Sequence, residues 1–103
     1  MKPVVLAACA TLIFSFSAGL ALAGPIERAC LQSDRKGASR SVCACIQQAA
    51  DATLRRTDQR KAAGFFKDPN RAQKVRMSKS DADNDFWARY KRFGQQAEAQ
   101  CAR

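Results

Sequence analysis

The apolar positions change rhythm once along this chain. From Val4 to Leu22 nearly every residue is apolar or small; beyond Gly24, apolar residues return every three or four positions with polar ones between them. The second pattern is that of helices with one buried face. PIERACLQS puts Ile26, Ala29 and Cys30 on one side of a short helix that Pro25 opens. DRKGA then reads as a polar turn, and Ser39 or Ser41 is placed to cap a second helix reaching about Leu54. RRTDQRKAAGFF predicts a third helix, with Thr57 or Asp58 as cap, Ala62, Phe65 and Phe66 inward, and Gly64 as a weak point. Asp68-Pro69 breaks that helix, and Pro69 starts a further short turn of helix through Val75 and Met77. The last helix is the clearest. Ser78 or Ser80 caps it, and Asp81, Asp83 and Asp85 suit the positive end of its dipole. Phe86, Tyr90, Phe93, Ala97 and Cys101 then follow at spacings of 4, 3, 4 and 4 on one narrow face, with Trp87 at its edge. No stretch alternates with period two for long enough to form a strand. The expected fold is all-α, a small disulfide-stapled bundle of about four helices.

The first apolar run belongs to export rather than to the fold. Lys2 gives it a positive start, and Ala21-Leu22-Ala23 forms an A-x-A cleavage pattern before Gly24. The run approaches the ~20 residues of a membrane span. Its Ala, Ser and Gly content and its terminal pattern favour a signal peptide over residues 1–23. Leu6-Ala7-Ala8-Cys9 resembles a lipoprotein cleavage box but comes too early, so Cys9 leaves with the signal. Residues 24–103 then form a single domain of 80 residues, expected to be periplasmic or secreted. No second apolar span follows. At that size a core alone is marginal and staples become common.

Four cysteines remain: Cys30, Cys43, Cys45 and Cys101. An even number in a short exported chain points to two disulfides. In SVCACIQQAAD, Cys43 and Cys45 lie two positions apart on the second helix, with Ala44 between them, at opposite edges of an apolar arc of about 180° centred near Ile46. Gln47, Gln48 and Asp51 fall outside that arc. Each thiol thus faces a different neighbour, as in a central helix tied to two partners. Cys30 and Cys43 are nearly equidistant from Lys36-Gly37, the turn of a helical hairpin, which favours Cys30–Cys43 with Cys45–Cys101. The swapped pairing, Cys30–Cys45 with Cys43–Cys101, stays open; a Cys43–Cys45 bridge is opposed by helix geometry. In the chain-entropy model the short loop contributes about 3 kcal/mol and the long one about 4. A structural zinc site would want two close pairs such as C-x2-C, and only one close pair is present. A Cys43/Cys45 redox pair is the other alternative.

Charge alters the picture next. The chain carries +9. Residues 55–79 concentrate it, with Arg55, Arg56, Arg60, Lys61, Lys67, Arg71, Lys74, Arg76 and Lys79 against Asp58 and Asp68. Such a segment attracts anionic surfaces: lipid headgroups, lipopolysaccharide or an acidic protein. The plain alternative is a solvated face that keeps the chain in solution. Export and the lack of a known motif disfavour nucleic acid. Phe65-Phe66 reads as core rather than as a membrane wedge, because Gly64 and Pro69 interrupt the helix.

Catalytic chemistry finds little purchase. Histidine is absent, which removes the commonest general base and the Ser-His and Cys-His nucleophile pairs. Glu27, Asp51, Asp58 and Glu98 are scattered. DADND opens like a calcium loop, but Phe86 stands at its glycine position and Arg92 at its final glutamate. Neither an enzyme, a metal site nor a cofactor is expected.

GASRSVCACIQQAAD, DQRKAAGFFKDPNRAQKVRMS and DFWARYKRFGQQAEAQC together resemble a group of small exported bacterial proteins commonly labelled "arginine transporter", over about residues 28–101. The resemblance implies a role in arginine transport and carries no ligand residues onto this chain. The residues themselves point to a binding module for an anionic envelope component or an acidic protein. An accessory role in arginine transport and a thiol-disulfide exchange protein are the alternatives.

Overall fold

The computed structural model describes residues 23–101, which form five helices: α1 (Pro25–Gln32), α2 (Arg40–Thr53), α3 (Arg56–Lys67), α4 (Pro69–Met77) and α5 (Asp81–Cys101). The fold is all-α, and no strand occurs among the described residues. The short helical turn expected from Pro69 through Val75 and Met77 is a helix of 9 residues over that span, so the helices number five where about four were expected. Apart from Ala23, the segment expected to be a signal peptide lies outside the described residues. All five helices, both disulfides and the core fall between Pro25 and Cys101. No described helix is long and apolar enough to cross a membrane.

Local chemistry explains the boundaries. Asp34 and Gly37 turn the chain between α1 and α2 with φ of 54° and 87°. Gly37 takes this conformation without the steric cost a side chain brings. Of the two serines that could cap α2, Ser39 does so: its Oγ accepts the Val42 N–H at 3.1 Å. Ser80 does the same for α5, accepting from Asp83 at 3.2 Å. Asp68 closes α3 and caps α4, accepting the Asn70 N–H at 3.1 Å, with Pro69 in the first helical position. The start of α3 departs from expectation. Neither Thr57 nor Asp58 is the cap; the helix begins at Arg56, and Asp58 reaches back from its first turn to accept the Arg55 N–H at 3.2 Å. This is the carboxylate half of a capping box, which works from inside the helix.

Helix α2 lies against α1 and α5, while α3 packs on α1 and reaches α5 both directly and through α4. Ala49 and Ala50, fully buried, present little bulk on the α2 surface and join a core of Ile26, Leu54, Ala62, Phe65, Phe86 and Phe93. Phe65 meets Phe86 and Tyr90 edge to face, at centroid distances of 5.9 and 5.3 Å. The expected stripe on α5 is thus real, with Phe86 and Phe93 buried and Tyr90 half-buried. Burial raises the Tyr90 phenol above its ordinary value. Met77, at the end of α4, is 78% exposed.

The sulfurs pair as Cys30–Cys43 and Cys45–Cys101, with Cα–Cα distances of 5.5 and 5.8 Å, and not in the swapped arrangement. The first bridge is internal: Cys43 has no exposed surface and Cys30 has 3%. The second is half-buried at both ends. Access governs thiol–disulfide exchange. A mild reductant with an alkylating trap should therefore label Cys45 and Cys101 before Cys30 and Cys43, as read by peptide mass spectrometry. Simultaneous labelling of all four would contradict the difference in burial.

Candidate anion-binding face

The face in question depends on how α1 is held. Its N-cap, Gly24, offers no side chain to the orphan N–H groups of the first turn. Gln47 of α2 fills that role from another helix. Its Oε1 accepts the N–H groups of Ile26 and Glu27 at 2.9 and 3.0 Å. Its Nε2 donates to Asp51 and to Gln59 of α3, both at 2.8 Å. Gln59 in turn donates to Asp51 at 3.1 Å and to the Leu54 carbonyl at 3.4 Å. Gln47 stands outside the apolar arc of α2, yet it is only 8% exposed. No buried side-chain polar atom among the described residues lacks a partner. A methyl group at Gly24 would run into the Gln47 amide, which is committed at both ends.

Two ion pairs fasten α3 to α5. Arg89 grips Asp58 with both arms of its guanidinium, Nε at 2.8 Å and Nη2 at 3.0 Å. Those hydrogen bonds hold the Asp58 carboxyl below its ordinary value, and the Arg55 N–H adds to the effect against the opposing cost of burial. Lys61 donates to Asp83 at 2.8 Å, while its ammonium lies 4.5 Å from the centre of the Phe86 ring. The Lys61 hydrogen bond, helped by Ser78, likewise lowers the Asp83 carboxyl.

With α1 and α3 fixed, a depression of about 390 Å³ beside the start of α1 is lined by Glu27 and Asp51 as well as Arg56, and three further depressions beside the same helices are walled by cations. The first, about 330 Å³, runs between α1 and the α3–α4 corner, with Arg28, Arg60, Lys67 and Arg71 in its walls. The second, about 180 Å³, lies by the start of α1 and is walled by Arg28, Arg56 and Arg60. The third, about 290 Å³, sits between α3 and α4; Phe65 and Val75 line it with Arg60, Lys61, Arg71 and Lys74. Arg60 borders all three, and no carboxylate lines any of them. Two acids are bonded to this set from outside the depressions: Asp83, 2.8 Å from Lys61, and Asp68, whose carboxylate stands 3.8 Å from Arg71 with both side chains well exposed.

The basic segment 55–79 therefore divides. Arg56, Arg60, Lys67, Arg71 and Lys74 come together around these depressions. Lys61 borders one of them but is already paired with Asp83. Arg55, Arg76 and Lys79 line none of the three. Arg28, from outside the segment, joins two. Sequence reasoning passes over Arg28 because it stands alone on α1, and nothing local reveals that α3 lies beside it. Gly64 also gains a role: the position of an added Cβ is 3.1 Å from Arg71 Nη1, so the missing side chain lets that guanidinium lie close across α3.

Gln47→Leu should lower stability by about 2–3 kcal/mol in a urea titration followed by Trp87 fluorescence, because buried N–H groups of α1 lose their acceptor. The Asp58–Arg89 pair sets a pH dependence. A carboxyl whose folded-state value is lowered contributes fully above its ordinary value of 3.8, and the contribution disappears as pH falls through the lower folded value. Asp58→Asn should therefore be less stable than the unmodified protein at neutral pH. It should also show a shallower loss of unfolding free energy below about pH 4. Comparison with protein-family models, curated proteins and solved structures finds no match to this chain.

Proposed function

We propose that this protein is a non-catalytic binding module of the cell envelope or its surroundings, and that it holds an anionic envelope component or an acidic protein partner through the α1–α3–α4 face. One observation carries the reading: cations far apart in sequence, Arg28 with Arg56, Arg60, Lys67, Arg71 and Lys74, border three depressions that share Arg60 and that no carboxylate lines. Like charges repel, so such clustering opposes folding unless counter-charge arrives from outside. Clefts walled by one sign of charge also focus the field on approaching ions of the other sign. Two disulfides accord with an oxidising compartment, and so with export.

The alternatives draw less support. A guanidinium ligand such as arginine would be repelled by these walls, and Asp83, one of the acids that could oppose them, is tied to Lys61. Transport itself needs spanning elements, and none occurs among the described helices. Cys43 and Cys45 belong to separate bridges, so they form no closely spaced redox disulfide with each other.

The test uses the protein beginning at Gly24, which retains every described helix and both disulfides. Combined reversal by Arg28→Glu, Arg60→Glu and Lys67→Glu should sharply lower the salt concentration needed to elute it from immobilised heparin, a model polyanion. Reversal of Arg55, Arg76 and Lys79 makes the same change in net charge away from the depressions and should have a smaller effect. Equal losses in the two variants would reject this face as the binding surface.

A further inference from the structure

The cationic face and an apolar cleft share two residues. Arg60 and Arg71 border the depression between α1 and the α3–α4 corner, and both also border the cleft lined by Phe65 and Val75. On the first side they join Arg28 and Lys67; on the second they join Lys61 and Lys74 around that apolar surface. Gly64 lets the Arg71 guanidinium lie against α3 between the two spaces. Phe65 is 5% exposed and belongs to the core, while half-buried Val75 packs against the core from α4.

We propose that this double depression takes an anionic phospholipid at a membrane surface, its phosphate held by Arg28, Arg60, Lys67 and Arg71 and the start of its acyl chain laid over Phe65 and Val75. The proposal rests on the anion-binding reading above and specifies the class of ligand. Charge complementarity selects the headgroup. The apolar lining selects what is attached to it, since a wholly hydrophilic polyanion would leave that surface wet and gain nothing from covering it. Arginine and lysine suit this boundary because their aliphatic stems line apolar surface while their charged ends stay with phosphate and water. The depressions of about 330 and 290 Å³ lie at the low end of the usual size of ligand sites, about 300–1,000 Å³. Basic residues close to an anionic bilayer add attraction that decays within a Debye length.

The protein beginning at Gly24 is presented with phosphatidylglycerol vesicles, phosphatidylcholine vesicles, glycerol 3-phosphate and immobilised heparin. Binding to phosphatidylglycerol vesicles should exceed binding to phosphatidylcholine vesicles and to glycerol 3-phosphate by about tenfold or more, since even two buried methylenes are worth about that factor. Val75→Asn, which changes polarity without changing charge, should lose about tenfold on phosphatidylglycerol while its heparin elution shifts less than that of Lys79→Gln, which removes one charge outside the cleft. Val75→Thr, nearly the same size, should fall between Val75→Asn and the unmodified protein and guards against loss of folding. Equal binding of glycerol 3-phosphate and lipid, or losses on vesicles as large for Lys79→Gln as for Val75→Asn, would overturn the lipid proposal and leave the anion-binding reading intact. Failure to bind heparin or either vesicle would overturn both.

Discussion

Helix α2 is held covalently on two flanks, through Cys43 to Cys30 of α1 and through Cys45 to Cys101 of α5. The two cysteines stand two residues apart, about 200° around a helix, so their sulfurs leave in different directions. That divergence places α1 on one side of α2 and the end of α5 on the other. The second bridge closes a loop of 56 residues that contains all of α3 and α4. With both ends of that loop pinned, its two inner helices have few ways to cover the apolar face of α5, and Phe65 meets Phe86 and Tyr90 there. A chain this short has limited core volume, so restricting the unfolded ensemble matters more than it would in a larger domain.

Polar groups then set how the helices sit within that frame. Gln47 serves as a cap for a helix to which it does not belong, and the same amide reaches Asp51 and Gln59. A buried network of this kind stabilises only when every member is satisfied, and here the side-chain atoms are. It fixes the N-terminal turn of α1 beside α3. On the other side of α3, the forked contact of Arg89 with Asp58 and the pairing of Lys61 with Asp83 hold α5. Asp58 has a double task, because the same carboxylate completes the first turn of α3.

The consequence for function is a separation of charges by duty. Lys61 and Arg89 are occupied inside the molecule. Arg28, Arg56, Arg60, Lys67 and Lys74 surround the depressions that the packing of α1, α3 and α4 leaves open. Arg71 mediates between the cationic and apolar parts of that surface, with Asp68 as a distant and exposed partner. Gly64 costs α3 about 1 kcal/mol relative to alanine in a helix interior, and the space it leaves is where the Arg71 guanidinium lies.

The rhythm of apolar residues was enough to place α2, α3 and α5, since a buried helical face must recur with the helical period whatever it packs against. The cysteine positions likewise announced a central helix with two tethers, because two residues of separation cannot point one way, and the local excess of Arg and Lys showed where charge would gather. Equal distance from the Lys36-Gly37 turn favoured the observed pairing of sulfurs, but both pairings satisfy the same angles on α2, and the position of α1 against it is what separates them. Gln47 was hidden for a similar reason. At about 20° beyond Leu54 on the helical wheel it belongs equally to the edge of a core or to solvent, until α1 brings unpaired N–H groups to it. Thr57 and Asp58 both suited the start of α3 by residue type, and Arg89, a helix away, is part of what holds Asp58 in its first turn instead. Arg28 and Gly64 acquire their roles only from neighbours distant in sequence. Period and composition are properties of a chain by itself, whereas a partner across a groove exists only once two helices have met.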